Sequence, residues 1–312
     1  MEPNNRRVVS LSFLAAGLSA LAACGGGSDS TPDAAPVDLA PAPDCGVPTI
    51  DDSVTKPTCT SKPAVAGVTD LSGTWVARVT AAQVVTAPIV GVMRNQYVLT
   101  MLVTITQTGT EIVADGWNCD RLQVNEPTAV APVVIPEIWA HTETPVHRTG
   151  TFAVGAEGHP ILHLHAATEV IGAMLSSPAA CLPTQSTDVG VYDQDKDGKP
   201  GITIVLSGQS LAGTICAVQT QTTVVDAIAV SADRVEGDLR FVAQQNVLES
   251  DPPSLGQLYS MGSTGPDPIL CNSGFVMVRV GDAQVVDGGA SADGGAALSC
   301  DWVRANQAAL LP

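Results

Sequence analysis

From about residue 70 onward, apolar side chains recur at every second position. A chain patterned that way can bury its apolar side only as β-strand, where successive side chains point to opposite faces. Tyr97, Leu99, Met101, Val103 and Ile105 fall on one face of such a strand and Thr100, Thr104 and Thr106 on the other. Leu239, Phe241, Ala243 and Val247 oppose Asp238, Arg240, Gln244 and Asn246 in the same way. The same signal predicts strands over 73–80, 110–117, 149–154, 160–166, 201–208, 212–230 and 275–280, with tight turns at Thr108-Gly109 and Ala232-Asp233. One face of each strand is expected to be core and the other wet. The fold class that follows is all-β and antiparallel, a closed barrel being preferred and a two-sheet sandwich the alternative. Asp287 to Ala297 holds only small and acidic residues apart from two valines just before it, and reads as a loop; Ser299 to Leu311 reads as a short C-terminal helix with Trp302, Val303, Ala309 and Leu310 on one stripe.

The first 69 residues are patterned differently. Met1 to Arg7 are mostly polar and end in Arg6-Arg7, and Val8 to Ala23 are apolar or small, a run shorter than the roughly 20 residues a membrane-spanning helix needs. Leu21-Ala22-Ala23-Cys24 resembles the lipobox of bacterial lipoproteins. That resemblance implies cleavage before Cys24, acylation of its thiol, and anchorage of the mature chain to a membrane of the cell envelope by several acyl chains. Gly25, standing where an aspartate would favour retention at an inner membrane, points to the outer membrane of a Gram-negative cell. Gly25 to Pro43 carry too little apolar bulk to fold, and the Pro/Thr-rich residues 44–69 read as an extended lead-in pinned by a Cys45–Cys59 bridge, so the expected organisation is a signal peptide over 1–23, a lipidated tether over 24–69 and a folded body over 70–312.

The formal charge of −17 makes nucleic acid an unsuitable partner and metal cations suitable ones. Four Trp, three Tyr and four Phe are too few for the aromatic girdles of an outer-membrane pore. Besides Cys24 there are Cys45, Cys59, Cys119, Cys181, Cys216, Cys271 and Cys300, with no C-x-x-C pair, which in an exported chain reads as disulfides with one cysteine left over. Cys45 with Cys59 is the expected pair, because it would close the shortest loop.

Leu71-Ser72-Gly73-Thr74-Trp75 resembles the G-x-W entry strand of lipocalin-like barrels, where the tryptophan plugs one end. The resemblance implies a barrel whose mouth accepts a small apolar ligand. A tryptophan that is simply core in another β fold remains the alternative.

Two constellations can carry metal chemistry. Asp193-Gln194-Asp195-Lys196-Asp197-Gly198 places carboxylates at positions one, three and five around a glycine, an arrangement that curls oxygens about a hard cation. It resembles the first half of an EF-hand or a thrombospondin-type calcium loop, which implies bound Ca²⁺ with a structural role. Position twelve is Ile204 rather than a bidentate Glu, so Asp188 is the expected outside donor; a solvated acidic hairpin is the alternative. The five histidines all fall between His141 and His165. His163 and His165, two apart on a predicted strand, form H-x-H-x-x-x-E with Glu169, which resembles the first metal motif of cupins, although no later histidine completes it; solvent-facing histidines on a half-buried strand are the favoured reading. No nucleophile elbow and no H-E-x-x-H is present, so catalysis is disfavoured. Three functions stay open at this point: a carrier of a small apolar ligand, a structural or interaction lipoprotein contacting envelope proteins, and, least favoured, a metal-dependent enzyme.

Overall fold

The computed structural model describes residues 45, 49–87, 91–126, 132–134, 146–155, 158–177, 180–208, 211–281 and 298–311. The signal segment, Cys24, the start of the tether and the Asp287–Ala297 loop lie outside the described residues. Pro43 to Pro312 form one compact unit.

In chain order the elements are β1 (Gly73–Ala87), β2 (Gly91–Thr108), β3 (Glu111–Asn125), β4 (Val133–Val134), β5 (Val146–Val154), β6 (Pro160–Ile171), β7 (Ile202–Ser207), β8 (Ala212–Ser231), β9 (Arg234–Asp251), α1 (Pro253–Ser260), β10 (Ser263–Pro266), β11 (Gly274–Gly281) and α2 (Cys300–Leu310). The segments expected from period-two patterning are all strands, most of them longer than the pattern alone indicates. Both expected turns are present: Thr108 pairs with Glu111 and Ser231 with Arg234.

All strand pairings are antiparallel, and they return on themselves in the order β8-β6-β5-β3-β2-β1-β11-β9 and back to β8. The fold class is therefore all-β, with a ring-like sheet. β8 carries β9 along one edge, whereas its other edge is shared: the half near Ile228 pairs with β6 and the half near Ala217 with β7. β7 in turn pairs with β4, and the Asn125 side chain at the end of β3 holds Val133 through both its amide groups, at 2.8 and 2.9 Å.

The ring encloses two stacked apolar clusters. One gathers Trp75, Met101, Val103, Ile105, Phe152, Leu162, Leu164, Leu239, Phe241, Phe275 and Met277; the other gathers Val85, Met93, Val133, Ile171, Ile202, Ile204, Ile215 and Leu255. Trp75 is fully buried in the first, its indole N–H donating to the Leu71 carbonyl at 2.8 Å and its ring capped by the Arg279 guanidinium at 4.4 Å. The interior is filled: the spaces left near Met101, Leu162 and Phe275 and near Met93, Ile204 and Leu255 measure about 40 and 30 Å³.

The expectation of a wet outer face needs correction in two places. Helix α2, capped by the Ser299 hydroxyl, lies over β1–β3 and forms a third cluster in which Val76, Leu102, Val303 and Leu311 are buried. Cys119–Cys300 ties the helix there. On the opposite side, residues 51–65, expected as tether, lie as an extended strap across β6, β8 and β9 (distances below), and the part of β9 that carries Glu236, Asp238 and Arg240 lies beneath it.

The pairing of Cys45 with Cys59 is also corrected. Cys45 bonds Cys181 and Cys59 bonds Cys271, so the strap is stapled to distant parts of the body at its middle and just ahead of its start, and Cys216 is a buried free thiol. An extended run rises about 3.3 Å per residue. It therefore carries its two cysteines away from one another, far beyond the roughly 7 Å limit between Cα atoms that a disulfide tolerates. Three disulfides mark an oxidising, exported environment. Among the described residues no helix is long and apolar enough to cross a membrane.

Candidate functional site

The aspartate loop sits in the long connection between β6 and β7 and ends where β7 enters the core. Asp193 accepts the backbone N–H of Asp197 at 3.2 Å and of Gly198 at 2.8 Å, which closes the turn over its own carboxylate. Asp197 accepts the Lys199 amide at 2.9 Å and the Thr203 hydroxyl at 2.6 Å, and Asp195 accepts the Thr203 amide at 2.8 Å. Thr203 thus fixes two of the three carboxylates to the first residues of a buried strand. Gly201 adopts φ +80°, and a Cβ there would fall 2.3 Å from the Ala217 carbonyl, so the loop presses backbone against β8 at a point only glycine permits.

One oxygen from each of Asp193, Asp195 and Asp197 lies within 4.8 Å of the others, a group that can hold a metal ion. Asp195 is the anomaly among them: it is 2% exposed, and its Oδ1 is buried without a hydrogen-bond partner. Burial, partly offset by the Thr203 amide and reinforced by the charge of Asp197 and the side-chain contact with Asp193, pushes its carboxyl above the ordinary aspartate value. A buried carboxylate oxygen facing other carboxylates needs a proton or a cation. Asp188 is elsewhere engaged: its carboxylate accepts the Thr184 and Gln185 amides at 2.8 and 3.0 Å, closing a separate turn. Ile204, the twelfth position, points into the second apolar cluster.

The histidine pair is built on a bulge. β6 pairs with β8 in register up to Leu164 and again from Ala167, leaving His165 and Ala166 as the irregularity. Their displaced backbone groups are both caught: the Ala166 N–H by Asp52 at 2.6 Å, and the His165 carbonyl by the Arg148 guanidinium at 2.7 Å. Arg148 also donates to Thr223, and burial, opposed by the charges of Asp52 and Glu169, pulls its pKa down to about 10. Outside the ring, His163 is 1% exposed, and Nδ1 lies 2.9 Å from Oδ1 of the wholly buried Asp226. Asp52 Oδ1 is 3.5 Å from His163 Nε2, and Asp52 Oδ2 is 3.2 Å from His165 Nδ1. The two imidazoles meet edge to face at 4.9 Å.

A ligand atom from each of Asp52, His163 and His165 lies within 4.8 Å of the others. Glu169, the expected third member, is not brought to them; it faces the Arg121 guanidinium at 3.9 Å. The carboxylate that does converge is more than a hundred positions away in sequence, on a strap that composition alone reads as tether. No spacing rule finds it.

The strap is held by a row of buried acids, one of which, Asp238, the period-two pattern places on a wet face. Asp226 accepts the Thr55 amide and hydroxyl at 3.2 and 2.7 Å and Arg240 at 2.8 Å. Asp238 accepts the Thr58 amide at 2.9 Å, its hydroxyl at 3.1 Å and the Cys59 amide at 2.8 Å. Glu236 accepts the Ser61 amide at 2.6 Å, and the Val65 amide reaches the Ala229 carbonyl at 2.9 Å. Beside the strap, an open groove of about 870 Å³ runs between it and β5–β6, with Val54, Pro57, Val154 and Ile161 along its walls.

No family model, curated protein or solved structure matches this chain.

Proposed function

We propose that this chain is an exported, lipid-anchored protein of the cell envelope. In this reading its body is a filled β-barrel scaffold that presents a calcium-stiffened loop to other envelope components. The observation that carries the choice of scaffold over carrier is the packed interior. Spaces of about 40 and 30 Å³ have room for a water or two, whereas small-molecule sites occupy roughly 300 Å³ or more. The eight-strand ring and the buried Trp75 of the G-x-W strand support the barrel, and the disulfides and the Leu21-Ala22-Ala23-Cys24 motif support export and acylation at Cys24.

Calcium as the loop's ion is supported by an all-oxygen donor set, by the glycine at position six and by the buried, partnerless oxygen of Asp195. Carbonyls of the loop or waters complete the shell in place of Asp188. The groove beside the strap favours a second, lesser reading: a small apolar ligand, where one is carried, lies outside the ring.

Two measurements test the proposal. Mass spectrometry of protein isolated from its native envelope should find a diacylated Cys24 at the N-terminus; an unmodified N-terminus refutes the anchor. Calorimetry of the purified protein should find one calcium site that Asp193→Ala with Asp195→Ala abolishes. At calcium about 100 times Kd, linkage adds about 2.7 kcal/mol. Spread over an unfolding entropy of about 2.1 cal/mol/K per residue for a body of this size, that raises Tm by about 5 °C. Equal melting with calcium and with chelator refutes the cation.

A further inference from the structure

We infer that Asp52, His163 and His165 form a second metal site, selective for a borderline divalent transition ion such as zinc, which clamps the strap to the outer face of the ring. The inference is independent of the calcium reading. It rests on the geometry around His163, whose buried, partnerless ring nitrogen converges with ligand atoms of Asp52 and His165.

Asp226 accepts hydrogen bonds from Arg240 and from Thr55, and its Oδ1 lies 2.9 Å from Nδ1 of His163, so that ring nitrogen is engaged and Nε2 is the one left for a ligand. That nitrogen is buried, has no hydrogen-bond partner and points to Asp52 and His165. A neutral imidazole whose far nitrogen is held by a buried carboxylate is the arrangement that orients metal-binding histidines and raises their basicity. A buried ring nitrogen without a partner carries a desolvation cost that a bound metal removes.

The spacing fits as well. Bonds of about 2.0–2.2 Å to nitrogen and oxygen in a tetrahedral site separate neighbouring ligand atoms by about 3.4 Å. The two Asp52 oxygens stand 3.5 Å from His163 Nε2 and 3.2 Å from His165 Nδ1. Asp52 is already aimed, because the Ala166 amide freed by the bulge donates to Oδ1 at 2.6 Å. Two imidazoles and one carboxylate suit zinc and its neighbours rather than calcium, which takes oxygen ligands only. Three protein ligands leave room for water on the ion, whose exposed side is that of Asp52 and the half-exposed His165.

The consequence for the fold is specific. Asp52 belongs to the strap, and the two histidines belong to β6. An ion bound among them would join segments that are otherwise held at this point by the Ala166 amide and by Arg240, whose guanidinium reaches the Asp51 and Ser53 carbonyls.

The test is a titration of the purified, fully oxidised protein with zinc and with cobalt, in calcium sufficient to saturate the aspartate loop. The expected result is one equivalent of either metal, visible absorption from the cobalt form, and slower hydrogen exchange at Ser53 and Ala166 in the loaded protein. Asp226→Asn should weaken binding about 10–100-fold, the usual effect of losing the carboxylate behind a histidine ligand. Asp52→Ala and His165→Ala should weaken it at least as much; both side chains lie at the surface, so these variants fold where His163→Ala could fail. Binding that is absent, that is unchanged in Asp52→Ala and His165→Ala, or that disappears only in Asp193→Ala with Asp195→Ala overturns the site. The last outcome would leave the aspartate loop as the metal centre.

Discussion

Asp238→Ala isolates what holds the strap. Asp238 is buried on the outer face of β9, and three donors, the amide and hydroxyl of Thr58 and the amide of Cys59, converge on it. Each bond to a charged acceptor has a gross worth of about 1.5–3 kcal/mol, but Thr58 is exposed and its donors can turn to water once the carboxylate is gone. The substitution also removes a desolvated charge. Net values of about 1 kcal/mol per bond are therefore the right scale, giving a loss of about 3 kcal/mol in all. For a body of this length that lowers Tm by about 5 °C. Cys59–Cys271 keeps the strap from leaving altogether, so the local effect should exceed the global one: amides of Thr58 and Cys59 lose hydrogen-exchange protection, whereas that of Val65, bonded to Ala229, keeps it. Asp238→Asn, which retains one acceptor oxygen, should fall between. If Tm is unchanged and both amides stay protected in Asp238→Ala, the strap is held by its disulfides alone and the row of buried acids has no anchoring role.

Two further outcomes are expected. Gly201→Ala, at φ +80° with a Cβ 2.3 Å from the Ala217 carbonyl, should cost more than the about 1–2 kcal/mol of left-handed strain that Gly198→Ala, at φ +87° in open space, costs alone, as chemical denaturation of the two variants will report. Because burial holds the Asp195 carboxyl above its ordinary value of 3.8, the folded loop binds a proton more tightly than the unfolded chain does. Without calcium its contribution to stability is therefore full below that value and is lost as pH rises through the raised one. Calcium competes with the same proton, so its affinity should fall as pH drops through the window, and Asp195→Asn should flatten both dependences in a pH series of melts and titrations.

What the sequence revealed and what it hid divide along a physical line. The strands were legible because period two is a local property: Met101, Val103 and Ile105 declare a shared face whatever they later touch, and Gly109 marks its turn without help. The aspartate triplet was legible for the same reason, since all three carboxylates and Gly198 lie within six residues. Helix α1 was not, because Pro253 to Ser260 contains a glycine and too short an apolar stripe to stand out. The polarity of an outer face misled most. Thr100 and Leu102 look like the wet side of β2 yet are buried, Leu102 beneath α2, and Asp238 and Arg240 look solvated yet lie under the strap.

Those errors share a cause, which also explains why the second metal group could be only half seen. Composition reports whether a segment can bury a core of its own, and residues 51–65 cannot. It does not report whether another part of the chain offers acceptors in a row at the spacing of its backbone amides. Asp226, Asp238 and Glu236 do offer them, one on β8 and two on β9, so a segment that would be tether in isolation is fixed by hydrogen bonds from its backbone amides and its threonine hydroxyls. Asp52 then arrives at His163 and His165 as a by-product of that docking. His163 and His165 announce a ligand pair two residues apart, but the carboxylate that completes it is chosen by tertiary structure, and Glu169, the nearest in sequence, is passed over because the bulge at His165 and Ala166 turns the strand between them.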